Sequence, residues 1–469
     1  MTAPRIRVRE CQLASRPART RMPFRFGIAV LTAMPILHVR LRLEASDGST
    51  VHGVSASGLP PLWFDKNPNS SHADNVRDLL TSVHRAAAAY VEAGAATAFD
   101  LHRSLEADVR AACAADGLNE LTAGFGIALL DSAIVDGVCR LTHTTLHRAL
   151  KQDLLGVGLE LARLVPAAAL PSIRVRHTVG MADPIRAADT VSSLDDGLPE
   201  TLEDVVRVYG VRIFKVKIER DTGASLARLR RIAEVVDSVP YYEVTLDGNE
   251  QFHDMGEFHA FVKRVAAEKA LATLWHRTLW IEQPVARSVA LTTAVSGELR
   301  KVDRLKPVII DESDASDDAL DQALELGYRG ISAKNCKGVF RTLHSYRRIA
   351  ERNARAGPPA ILSSEDLTNV GIVPLHQDLC VAAALGITHS ERNGHHYFSG
   401  LSHCSTREQQ QALVEYPSLY SKRPNGLVAL DVRAGALDLR ELNAAGYGVA
   451  SEPDWEAMEP LAPGSLPAF

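Results

Sequence analysis

What this chain lacks narrows its reading first. Cysteine is sparse, six in 469 residues, and the six (Cys11, Cys113, Cys139, Cys336, Cys380 and Cys404) form no CxxC pair. That argues against a disulfide framework and points to separate reduced thiols in a cytoplasmic protein. No apolar run approaches the roughly 18 residues that a membrane helix needs. The stretch Met1 to Glu10 is basic but lacks the apolar core of a secretory signal, so a cytoplasmic home is expected. Neither sign of charge dominates: 52 Lys+Arg stand against 57 Asp+Glu, a net −5. Neither nucleic acid nor a membrane surface is therefore expected as a partner. Repeats and low-complexity tracts are missing too, and a 46% hydrophobic, 23% charged composition excludes disordered, collagen-like and coiled-coil chains.

What is present is length and a change of period along it. At roughly 150 residues per domain the prior is about three, although an α/β barrel alone can take about 250. From Arg5 to about Gly58 apolar and polar residues alternate, as in Ile36-Leu37-His38-Val39-Arg40-Leu41-Arg42-Leu43, which predicts antiparallel strands. From about Ser71 to Leu155 the period becomes helical. Sheet followed by helices predicts an α+β domain over residues 1–165.

From Ser172 onward short β-branched runs alternate with amphipathic helices. The runs are Ile173–Val179, Val211–Ile218, Tyr241–Asp247, Leu279–Glu282, Pro307–Asp311, Arg329–Lys334, Ala360–Ser363 and Ile387–Ser390. Eight such runs predict a closed parallel (β/α)₈ barrel over residues 166–400. The fold class is thus α/β: a TIM-like barrel carrying an N-terminal α+β cap. Residues 401–469, with six prolines from Pro417 to Pro467, are expected to supply the last barrel helix and a surface-hugging extension.

Barrel chemistry sits where strands end. Here the second run ends Phe214-Lys215-Val216-Lys217, with both lysines on one face by alternation. The next four end Leu246-Asp247-Gly248-Asn249, Ile281-Glu282-Gln283-Pro284, Ile310-Asp311-Glu312-Ser313 and Ser332-Ala333-Lys334-Asn335. Any one charged residue after a strand is ordinarily a loop start or a helix cap, as Asp311 could be. Lysines, three carboxylates and a lysine at five successive strand ends form a series. Three converging carboxylates repel unless a cation neutralises them, and an oxygen-only donor set favours Mg²⁺. Two adjacent lysines each disfavour the other's protonation, and a lysine so depressed is a competent general base.

The order KxK, Asp, Glu-Gln-Pro, Asp-Glu-Ser, Lys resembles the enolase superfamily, and within it the muconate-lactonizing subgroup of the mandelate racemase/muconate lactonizing enzyme family. The resemblance covers the barrel and extends loosely to the cap. It implies Mg²⁺ held by Asp247, Glu282 and Asp311, Lys217 as base on one face of the substrate, Lys215 tuning it, and Lys334 on the opposite face. It further implies a small carboxylic acid as substrate, losing the proton α to its carboxylate, in an isomerase (racemase, epimerase or cycloisomerase). The alternatives are a lyase or dehydratase of the same superfamily, acid-sugar or o-succinylbenzoate-synthase-like, a metal-dependent aldolase barrel, and a non-catalytic ligand-binding barrel. The resemblance also implies that the chain forms a homo-oligomer and that its end returns to the cap.

Two departures matter. The acid-sugar enzymes and mandelate racemase use a His-Asp pair on later strands, whereas Ser363-Ser364-Glu365-Asp366 contains no histidine and His376 falls in the following helix. Dipeptide epimerases carry Asp-x-Asp after the eighth strand, where this chain reads Glu391-Arg392-Asn393 and has one carboxylate. Arg392, His395 and His396 there are expected to be exposed loop residues. Candidate substrate contacts are Asn249 and Glu391, with Arg25 and Trp63 from two cap segments, Arg19–Gly27 and Ser57–Lys66, read as lids.

Overall fold

The computed structural model describes residues 2–190, 192–443 and 446–469. Two long strands, β1 (Ile6–Phe26) and β2 (Ala29–Ala45), form a hairpin flanked by β3 (Thr50–Gly58). The alternation read from the sequence is the pattern that buries Leu37, Val39, Leu41 and Leu43, each at most 0% exposed. Three helices follow: α1 (His72–Glu92), α2 (Ala98–Ala115) and α3 (Glu120–Leu141). Ser71, Thr97 and Asn119 cap them, each side chain accepting a backbone N–H of its helix's first turn.

Although no uninterrupted apolar run is that long, helix α3 is long and apolar enough on average to cross a membrane, yet it is wholly buried between the rest of the cap and the barrel. It is a core helix, apolar all round. Its two buried carboxylates have partners: Asp131 accepts from Tyr90 and His102, and Asp136 from the backbone of Val54 and Tyr447. The sheet lies close on it because Gly53 has no side chain. A Cβ there would stand 2.0 Å from the carbonyl oxygen of Ala133.

The barrel strands are β4 (Ser172–Val179), β5 (Ile213–Lys217), β6 (Glu243–Asp247), β7 (Thr278–Glu282), β8 (Val308–Ile309), β9 (Gly330–Ala333), β10 (Ile361–Ser364) and β11 (His389–Arg392). Their hydrogen-bonded order runs β8-β7-β6-β5-β4-β11-β10-β9, and all these pairs are parallel. The ring closes between β8 and β9 through the Ile310–Ile331 bridge. All eight predicted runs are strands of this ring, shifted at most a few residues at their ends. Between β6 and β7 the chain forms two helices, Met255–Ala267 and Ala272–His276, joined by a 3₁₀ turn.

Beyond Gly400 the chain forms a helix, Thr406–Glu415, and a short hairpin. It then runs back to the cap, where Glu459–Pro460 pairs with β1. A buried ion pair ties the same regions together: Arg16 of β1 grips Glu408 at 2.7 and 2.9 Å.

Candidate functional site

Strand register assembles the cluster. Lys217 lies opposite Asp247, and Asp247 opposite Glu282, so three charged residues stand side by side on β5, β6 and β7. Asp311 follows β8 by two residues, and Ser332 of β9 donates to its Oδ1 at 2.6 Å. Lys334 follows β9. All six predicted residues of the series are buried at this end of the barrel.

Lys215 is the hub. Its Nζ stands 3.0 Å from Asp247, 2.9 Å from Glu282 and 3.0 Å from Glu391, and it also pairs with Glu365. Lys217 pairs with Asp247 at 2.6 Å. Asp311 is held by Lys334 and, at 3.2 Å, by Lys337. Behind Glu365 lies Arg176 of β4, wholly buried, which also donates to Ser363 Oγ at 2.7 Å and to the Ser364 carbonyl at 3.0 Å.

The electrostatics correct one expectation. Adjacent lysines do not depress Lys215. Burial works against its charge, but the carboxylates of Asp247, Glu282, Glu365 and Glu391 outweigh that and hold it protonated well above the ordinary lysine range. Lys334 is likewise raised, against burial, by Asp311. The surplus of carboxylates shows elsewhere: burial and the neighbouring Asp247 and Glu365 push Glu282 well up, and burial lifts Asp366 to about 7.

Over this charged floor lies a small pocket, with about 350 Å³ of space continuous with solvent. Lys215, Lys217 and Lys334 line it, as do Asn249, Glu391, Asn393 and Asp366. Phe24, Phe26, Pro60, Trp63 and Leu367 supply its apolar walls. Trp63, only 3% exposed, carries the Lys334 ammonium 4.8 Å from its ring centroid.

The weaker expectations divide. Trp63, Asn249 and Glu391 line the pocket, although Glu391 also turns to Lys215 and accepts from Thr178 at 2.6 Å. Arg25 does not line it. On an extended strand its neighbours Phe24 and Phe26 point inward, so Arg25 points out and is exposed. Arg392, His395 and His396 are buried, not exposed. Arg392 pairs with Asp366 at 3.5 Å and Asp378 at 3.3 Å, and His395 lies 3.3 Å from His177. His376 is a buried helix residue, bonded to the Gly448 carbonyl and the Tyr420 hydroxyl.

Sequence reasoning missed Arg176, Glu365 and Lys337. Alternation in Ile173-Arg174-Val175-Arg176 puts Arg176 on the same face as the exposed Arg174, so the sequence does not set it apart from a solvated residue. Lys337 lay just beyond Lys334, where a loop lysine is ordinarily solvated. Burial made it a partner of Asp311 and, at 3.1 Å, Asp314.

The donor chemistry of Asp247, Glu282 and Asp311 fits a hard divalent cation: oxygens only, buried, and all from carboxylates. In their present rotamers the carboxylates are drawn to lysines. Among the described residues no group of three His, Cys, Asp or Glu is disposed around a metal position.

No protein-family model matches the chain, and the search of curated proteins finds no match. Solved structures are. A mandelate racemase/muconate lactonizing protein from Herpetosiphon aurantiacus superposes with a TM-score of 0.62 at 16% identity, over 95% of this chain and 99% of that one. The fold is that of the mandelate racemase/muconate lactonizing proteins. A dipeptide epimerase from Enterococcus faecalis V583, complexed with Mg and L-Leu-L-Tyr, gives 0.61 at 15% identity, over 94% and 99% of the two chains. A muconate lactonizing enzyme from Pseudomonas fluorescens, complexed with muconolactone, gives 0.61 at 17% identity, over 96% and 98%. The mandelate racemase/muconate lactonizing fold therefore spans cap, barrel and the returning C-terminal segment alike.

Proposed function

We propose that this protein is an enzyme of the enolase superfamily, an isomerase that removes and returns the proton α to the carboxylate of a small acid. The observation that carries the reading is the placement of the lysines. Lys217 ends the second strand of an eight-strand ring and Lys334 follows the sixth, so they stand across the barrel from each other, and both line one pocket. A substrate carbon between them meets an amine on each face.

In this reading Asp247, Glu282 and Asp311 hold Mg²⁺, the ion present in the dipeptide epimerase complex to which the fold is similar. Such an ion would supply positive charge beside the substrate carboxylate as its α-proton leaves. Lys217, as the free amine, takes that proton and becomes the ammonium. Lys215 stays protonated between its carboxylates and offers a fixed cation to the developing negative charge, which costs no reorganisation in the reaction. Lys334, as the ammonium, gives a proton to the opposite face and inverts the centre.

The apolar walls exclude water from the substrate's body, and Asn249, Asn393 and Asp366 leave polar positions for a second group. Charge supports a proton-transfer isomerase over a His-dependent dehydratase, because the buried histidines lie in packed contacts instead of in the pocket wall.

The test is deuterium uptake. The protein with Mg²⁺ in D₂O, offered N-acyl amino acids, dipeptides, sugar acids and cycloalkene acids, is expected to exchange the α-proton of one class, and K217A to lose that exchange. Retained exchange in K217A overturns the base. Silence across the panel, with no Mg²⁺ uptake in calorimetry, turns the reading towards a ligand-binding barrel.

A further inference from the structure

We infer that Arg287 is a positioning residue that aims Trp63 at Lys334, making the cap's Ser57–Lys66 segment a fixed wall of the site. The guanidinium reaches from the short helix after β7 (Arg287–Ala290) to the cap and donates to two successive backbone carbonyls, Trp63 O and Phe64 O, each at 2.8 Å. Two further N–H groups go to Glu250, at 3.0 Å through Nε and 2.9 Å through Nη2. A planar fork holding a carboxylate on one edge and two carbonyls on the others has no freedom left, which a lysine could not reproduce.

Glu250 is itself aimed. Its backbone, with that of Asn249, lies in the left-handed region at φ +65° and +40°. Neither is glycine, so each position is strained and persists only where its surroundings impose it. The turn is imposed by a hydrogen bond from Glu250 N to the Gln283 carbonyl at 2.8 Å, and Lys66 of the cap closes on Glu250 at 2.6 Å and on the Asn249 carbonyl at 2.9 Å.

The consequence lies at the ring. Fixing the carbonyls of Trp63 and Phe64 fixes the backbone that carries the indole; the ring itself meets Phe64 in a T-shaped contact, and Phe64 packs on Phe125 of α3. The free face of the indole is then presented to the Lys334 ammonium. Lys334 thus has two partners, Asp311 and the indole. The role of Lys334 in turnover rests on the function proposed above. The aim of Trp63 does not, and can be read without substrate.

Trp63 is one of four tryptophans, so subtracting the emission of W63F isolates it. In the parent protein the Trp63 component is expected to be blue-shifted and shielded from acrylamide. R287M is expected to shift that component to the red and raise its quenching severalfold, and E250Q, which keeps shape and removes charge, to move it in the same direction by less. K334M should alter its intensity without exposing it. Circular dichroism checks that each variant is folded. Should R287M not fold, E250Q carries the test. Unchanged Trp63 emission in the folded variants overturns the inference. Where α-proton exchange is found, R287M should lower kcat more than it changes KM, and add little in the W63F background. Where no exchange is found, the fluorescence result still decides.

Discussion

Glu408 offers a stability prediction whose size can be worked through. Its carboxylate is 4% exposed, grips Arg16 across the cap–C-terminal contact, and accepts backbone N–H groups from Ser405 at 2.9 Å and Asp454 at 3.2 Å. Burial alone would raise its pKa, but hydrogen bonding and charge from Arg16 overcome that and lower it from 4.5 to about 2. A depressed folded-state value means stability that is complete above the unfolded pKa and lost as pH falls through the folded one. A displacement of that size corresponds to about 3 kcal/mol at neutral pH, of which about 2 kcal/mol is gone by pH 3. Glu408→Gln removes the titration and leaves Arg16 buried without its counter-charge, a change typically costing about 3–5 kcal/mol. Chemical denaturation of both proteins at pH 6 and pH 3 is the assay. The gap between them should be large at pH 6 and shrink by about 2 kcal/mol at pH 3. An equal gap at both values would refute the assignment of the pH dependence to this pair.

Other outcomes follow from the same geometry. Lys217→Ala is expected to slow α-proton exchange by at least about 10²-fold while leaving the thermal transition near that of the parent. EDTA should abolish exchange, and Mg²⁺ should restore it to the parent but not to Asp247→Asn, as followed by mass spectrometry. Gly53→Ala should destabilise the cap by about 1–3 kcal/mol in denaturant titration, because its new methyl has to push β3 off α3. Arg176→Met should be strongly destabilising, and Arg176→Met with Glu365→Gln less so, since the second change removes the carboxylate the first leaves underpaired.

The barrel was legible because its signal is local. Each strand is a short β-branched run between amphipathic helices, and the period change near Ser172 marks where the cap's pattern stops. The six charged strand ends were legible for the same reason: register in a parallel ring follows from the order of the runs, so residues ending successive strands become neighbours, as Lys217, Asp247 and Glu282 do. The cap strands announced themselves by alternation, and alternation also decides that Phe24 and Phe26, not Arg25, face the pocket.

What the linear order could not decide is which charges share a cavity, because electrostatics depends on distance in space and on burial. Read along the chain, Lys215 has Lys217 for a neighbour and looks depressed. In the barrel it has four carboxylates, two of them from the seventh and eighth strands, and is raised. Arg176, Glu365 and Lys337 look like surface residues until the closed ring removes water from them. The grip of Arg287 on Trp63 joins residues more than two hundred positions apart, through backbone carbonyls that carry no sequence signature. Local period determined the elements and their order. Closure of the ring, and the cap laid over it, determined which of their charges meet.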